Sequence, residues 1–153
     1  MKAKYINPFI KATHNLFSDF LGVSVTPGAP FLKDESSGMY EVSGIIGLAG
    51  ETKGAVVLSL SRESAIKAIS KMEEREYRAL SNEVIDGVGE LINIIAGNAK
   101  QDLLEFRIEI SLPGVVTGSE YKIHWPEGIP VIVIPFESEI GKFSVNVSLR
   151  DIA

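Results

Sequence analysis

Glu90 and Asn93 stand three residues apart in the stretch Asp86-Gly-Val-Gly-Glu90-Leu-Ile-Asn93, with Asp86 four residues before Glu90 and Gly97 four residues after Asn93. At about 100° per residue, this spacing puts all four positions on one side of a helix, with neighbours within side-chain reach. A carboxylate and a carboxamide would then sit side by side on a rigid support. The carboxamide can hold a water without bearing charge, and the carboxylate can pair with a cation. The same spacing also describes the solvated face of any amphipathic helix, so periodicity alone does not decide between a site and a surface. Gly87, Gly89 and Gly97 flank the stripe. Each costs about 1 kcal/mol relative to Ala inside a helix, so three of them call for a packing or docking reason, such as close approach of another backbone.

Other chemistries find little support. His14 and His124 are far apart, and neither has a partner at His-x3-His spacing, so no metal site is read. The chain has no cysteine, which removes thiolate nucleophiles, disulfides and most structural zinc sites and is compatible with a reducing cytoplasm. No Gly-x-Ser-x-Gly elbow is present to nominate a serine hydrolase. Gly87-Val-Gly89 lacks the third glycine of a dinucleotide loop and lies inside a helical pattern rather than after a strand. Trp125, between His124 and Pro126, reads as a half-buried side chain closing a turn.

The elements that must position the stripe follow from the rest of the chain. At 153 residues one domain is expected over 1–153, and a hydrophobic share of 45% with 23% charged residues is that of a water-soluble globule. The net charge of -5 and the absence of a Lys/Arg stripe argue against nucleic acid, and no apolar run is long enough to span a bilayer. Asn7 followed by Pro8 predicts the cap and first turn of a helix stopped by Gly22, and 23–34 reads as an extended or irregular connection leading toward the sheet. Met39 to Leu48 and Ala55 to Leu60 read as a hairpin, followed by a helix from Ser61 to about Met72. Ser81 caps the longest helix, expected to reach about Phe106, with Val84, Val88, Leu91, Ile92, Ile95, Ala99 and Leu103 at helical period. Strands follow at Ile108 to Ile110, Ile129 to Glu137 and Lys142 to Arg150, the last two joined by the turn 138–141. Alternation of Phe143, Val145, Val147 and Leu149 with Ser144, Asn146, Ser148 and Arg150 predicts one buried and one wetter face for the final strand. The expected class is α+β, a mixed or antiparallel sheet packed against long helices, and the order of elements allows two similar halves.

The stretch from Asp86 to Asn93, followed downstream by Pro113, resembles the Asp/Ser-x3-Glu-x2-Asn…Pro signature of the CheC/CheX/FliY chemotaxis phosphatase family. The interval from Asn93 to Pro113 is slightly shorter than is usual there. Gly97-Asn98-Ala99 also resembles the family, and a single Glu-x2-Asn site is most similar to its CheX branch. The resemblance implies a phosphatase acting on the aspartyl-phosphate of a CheY-like response regulator in the cytoplasm. It implies that Asn93 inserts to orient the attacking water, that Glu90 pairs with the regulator's active-site lysine, and that Asp86 and Gly97 belong to the docking surface. No cofactor of the chain's own is expected, because Mg2+ would come with the phosphorylated partner. A homodimer is expected. A non-catalytic module binding a regulator or motor component on the same fold is the alternative, since one fold hosts several functions.

Overall fold

The first helix, α1 (Ala3–Leu16), begins earlier than the Asn7-Pro8 pair predicts. The computed structural model describes residues 2–34, 38–119 and 121–152. Lys2 is the N-cap and offers no side-chain bond, and Pro8 lies inside the helix, where it forfeits one backbone hydrogen bond. Tyr5, Ile6 and Phe9 are buried, and their burial outweighs the local cap signal. The helix widens into a π-turn (Phe17–Leu21) and ends at Gly22, whose φ of 65° suits glycine.

Among the described residues, eight strands form one sheet: β1 (Val25–Pro27), β2 (Phe31–Leu32), β3 (Val42–Gly50), β4 (Gly54–Leu60), β5 (Ile108–Ile110), β6 (Gly114–Thr117), β7 (Val131–Ser138) and β8 (Phe143–Leu149). The order is β1-β7-β8-β4-β3-β5, with β2 also on β7 and β6 also on β3. Every pairing is antiparallel. The expected hairpins β3–β4 and β7–β8 meet at the centre, and the short strands β1, β2 and β6 are additions to the sequence reading. A two-fold pattern results: the edge strands that follow α1 pair with the second hairpin, and those that follow the third helix pair with the first hairpin. The class is α+β, as expected.

The helices α1, α2 (Arg62–Met72) and α3 (Asn82–Asp102) join the sheet in a common core. Ser61 and Ser81 cap α2 and α3 through their hydroxyls, accepting from the N–H groups of Ser64 and Val84. The apolar period expected of α3 is buried in full, from Val84 to Ala99, with Leu103 beyond. The helix stops at Asp102 rather than near Phe106, because Leu103 leaves helical backbone (φ -90°, ψ 67°) and remains in the core. Phe17 stacks on Phe143 at 4.6 Å and Phe143 on Phe136 at 5.1 Å, tying the π-turn to the second hairpin.

The final strand departs from the expected wet face. Ser144, Asn146 and Ser148 are buried, as are Ser43 and Ser59 on the same side of the sheet. Tyr40 and Tyr121, from segments flanking the sheet, supply hydrogen bonds to Ser43 and Ser59, whereas the buried Ser148 hydroxyl has no partner among the described residues. Tyr121 Oη lies 2.5 Å from Ser43 Oγ and donates to the Tyr40 carbonyl, and the Tyr40 N–H donates to Ser59 Oγ at 2.9 Å. Asn146 donates to Ser144 Oγ at 3.0 Å. Polar residues thus alternate with apolar ones without marking solvent.

Two tests follow. A Cβ at Gly87 would lie 2.7, 2.8 and 2.9 Å from three atoms of Ile69 on α2. Gly87→Val is expected to lower stability by about 1–3 kcal/mol in denaturant unfolding, and an unchanged midpoint would mean the α2–α3 contact yields freely. At the other end of α3, Glu105 accepts from Lys4 Nζ at 2.7 Å and Tyr5 Oη at 2.6 Å, and these two donors hold its carboxyl below the ordinary value of 4.5. The stabilisation is present above that value and lost as pH falls through the lower folded one. Urea midpoints of wild type and Glu105→Gln should therefore differ at neutral pH and converge on acidification; a pH-independent gap contradicts this.

Candidate functional site

The α3 helix presents Asp86, Glu90 and Asn93 to solvent while Gly87, Val88, Gly89, Leu91 and Ile92 between them are buried. The stripe thus lies on the side away from the core, as its spacing predicts. The helix under it is anchored at its start. Ser81 Oγ accepts from the Val84 N–H at 3.3 Å, and the Glu83 carboxyl is held below its ordinary range by its own backbone N–H and then by Ser81. An acidic side chain there also suits the positive end of the helix dipole.

Close packing fixes how α3 sits. A Cβ at Gly44 on β3 would lie 3.0 Å from Ile92 Cγ2 and 3.2 Å from the Val88 carbonyl, so the missing side chain lets the helix rest directly on the strand. Gly87 makes room for Ile69 on α2. Gly89 faces Pro113 and Val115, with a Cβ there reaching Val115 Cγ2 at 3.4 Å and Pro113 Cβ at 3.7 Å. Two of the three glycines flanking the stripe therefore have packing reasons. A Cβ at Gly97 would meet nothing within 4 Å outside its own helix backbone, so packing within this chain gives it none.

An open groove of about 500 Å³ is lined by Ile85, Asp86, Gly89, Glu90, Asn93, Pro113 and Val115. Pro113 thus joins the carboxylate and the carboxamide despite the short interval, because β5 and β6 both pair with β3 and carry the 111–113 link past the middle of α3. Gly97 lies one turn beyond Asn93 on the same helix and outside the groove lining. Ile85 and Val115 were not foreseen; Ile85 is a half-buried apolar residue off the main core period, which is a weak signal, and Val115 has none in the sequence.

Among the described residues, the side chains of Glu90 and Asn93 have no hydrogen bond or ion pair, so their polar atoms are available to a partner. The groove lining holds two carboxylates and no cation. Such a surface repels a free phosphate ester unless the ligand brings its own positive charge. Its openness suits another macromolecule's surface more than a small molecule, whose sites are concave and enclosing. Among the described residues no group of three or more His, Asp or Glu side chains could hold a metal ion, and no helix is long and apolar enough to cross a membrane.

Comparison with known proteins accords with this geometry. Residues 42–137 match the family described as chemotaxis phosphatase CheX. The CheY-P phosphatase CheX of Thermotoga maritima is 30% identical over 126 residues, covering 80% of this chain and 81% of that protein. A CheC-like superfamily protein from Shewanella sp. PV-4 superposes with a TM-score of 0.89 at 29% identity, covering 97% of this chain and 99% of that one. CheX from Borrelia burgdorferi, solved as a CheX-CheY-BeF3-Mg2+ complex, matches with a TM-score of 0.83 at 31% identity, covering 96% and 98%. With the sequence match spanning more than half of the chain and the fold shared along nearly all of it, the chain belongs to the CheX family of chemotaxis phosphatases.

Proposed function

We propose that this chain hydrolyses the aspartyl-phosphate of a CheY-like receiver domain, with Asn93 orienting the attacking water and Glu90 docking to the receiver's active-site lysine. The observation that carries the reading is the pair itself: an unpartnered carboxylate and an unpartnered carboxamide one helical turn apart, beside Pro113, in a groove without a cation. A receiver bearing an acyl phosphate supplies what this groove lacks. Its own lysine and Mg2+ neutralise the phosphoryl oxygens, so the chain needs to add only position.

In the proposed step, water oxygen attacks phosphorus in line with the scissile P–O bond. That bond breaks, the aspartate leaves as a carboxylate, and inorganic phosphate carries the remaining oxygens and the protons of the water. The carbonyl oxygen of Asn93 can accept from the water and hold its lone pair toward phosphorus. A carboxylate at that place would add repulsion against the phosphoryl oxygens, which favours the neutral side chain. Glu90, one turn earlier, would make a charge-assisted bond to the lysine and fix the register of docking. Asp86, a further turn along the groove, would extend the acidic surface offered to the receiver.

The test is phosphate release from a phosphorylated receiver. Asn93→Ala is expected to reduce turnover at least about 100-fold while binding is retained. Glu90→Ala is expected to raise KM about tenfold or more. Both positions are exposed, so unfolding free energy should stay within about 0.5 kcal/mol of wild type. Binding without acceleration by the wild type would replace the enzyme with a regulator-binding module, and variants as active as wild type would remove both assigned roles. Gly97→Ala offers a separate check. With open space around it, the substitution should stabilise the helix by about 0.5–1 kcal/mol. If a receiver's backbone approaches there, affinity falls while stability rises; unchanged affinity takes Gly97 out of the docking surface.

A further inference from the structure

Leu112 is 91% exposed, the highest value for a large hydrophobic side chain among the described residues. It immediately precedes Pro113 of the groove, and its backbone is held on both sides. The Ser111 N–H donates to the Gly47 carbonyl at 3.0 Å, and the Gly47 N–H donates back to Ser111 Oγ at 2.9 Å. That hydroxyl donates onward to the Leu112 carbonyl at 3.0 Å. After it, Pro113 fixes its own φ and restricts Leu112 to extended backbone, and β6 then pairs with Val42 to Ile45. An exposed leucine is thus mounted on a link pinned to β3 before and after it.

We propose that Leu112 is an apolar docking residue for the receiver domain whose phosphoryl group enters the Glu90/Asn93 groove. The inference rests on the function proposed above and adds a contact outside the groove. A stable protein interface covers about 800 Å² on each partner, far more than the groove lining alone offers. The contact must spread beyond it, and Leu112 is the residue bonded directly to Pro113 of the lining. Because its backbone is already fixed, little ordering entropy is lost when a partner covers it. A leucine left this exposed has nearly all of its apolar surface to bury against a partner. The receiver is the assigned occupant because the surface around its phosphoryl group has to extend past the groove that admits it.

The test compares Leu112→Ser with Leu104→Ser, an 88% exposed leucine two residues beyond the end of α3 and outside the groove lining. The probes are a CheY-type receiver phosphorylated with acetyl phosphate for turnover and its beryllofluoride–Mg2+ form for binding. Leu112→Ser is expected to raise KM and Kd about 10- to 30-fold with kcat and thermal midpoint unchanged, and Leu104→Ser to change none of them. Equal KM and Kd for Leu112→Ser and wild type would overturn the inference and leave the Glu90/Asn93 reading standing. A fall in kcat at constant KM, or a shift in oligomeric state measured by light scattering, would overturn it too. A wild type that neither binds nor hydrolyses the receiver would instead overturn the function on which it rests.

Discussion

The helix that carries Glu90 and Asn93 lies directly against β3 because residue 44 has no side chain. A methyl group there would meet Ile92 and the carbonyl of Val88 at distances that packed atoms rarely tolerate. From this seat the remaining geometry follows. The buried side of α3 is filled by its apolar period, the α2 helix closes on Gly87, and the 111–115 link settles over Gly89. Four polar or small positions are left on the far side with nothing of the chain's own to bind. Moving the helix away from β3 would separate the stripe from Pro113 and Val115 and dissolve the groove, although no residue of the stripe would itself have changed.

Rigidity of this kind would serve the proposed site, whose task is placement. Neither Glu90 nor Asn93 is tied by neighbouring side chains, so their precision comes from backbone held in the middle of a 21-residue helix and from packing beneath it. The opposite wall comes from an edge of the sheet, where two short strands share β3. One wall is helix and the other is sheet edge, and β3 touches both. A partner's phosphoryl group would meet a surface that is acidic and amide-bearing along the helix and apolar along the link.

Much of this was legible in the sequence, for reasons that can be traced to particular residues. The long helix was readable because seven apolar residues repeat at its period and Ser81 caps it; its far end was not, because Leu103 remains buried after the helical backbone has stopped. Asn7-Pro8 carries a strong local signal for a helix start, yet Tyr5 and Ile6 already contribute to the core ahead of it, and tertiary burial prevailed. The strands β1, β2 and β6 are too short to show a period, and their pairing comes from the sheet edges they join. Ser144, Asn146 and Ser148 alternate as a wet face would, but the flanking segments lie far away in sequence. The exposure of Glu90 and Asn93 on one side of the helix was readable from spacing, while the roles proposed for them come from family likeness. The apolar wall was not, since Val115 reaches the groove only through strand pairing.

The crossed arrangement of edge strands bears on how the chain comes to be folded. Val25 pairs with Ser138 and Gly50 with Ile108, so each half of the sequence finishes the sheet of the other. During synthesis the first half emerges with β3 lacking β5 and β6, and with β4 lacking β8. Its open hydrogen-bonding edges must wait for later residues, and such edges are templates for pairing with the wrong chain. Contacts this distant in sequence slow folding, because loop closure precedes the pairing that rewards it. The N-terminal half is therefore a nascent chain exposed to aggregation until its complement leaves the ribosome, and the finished molecule opens and closes as one cooperative unit rather than as two.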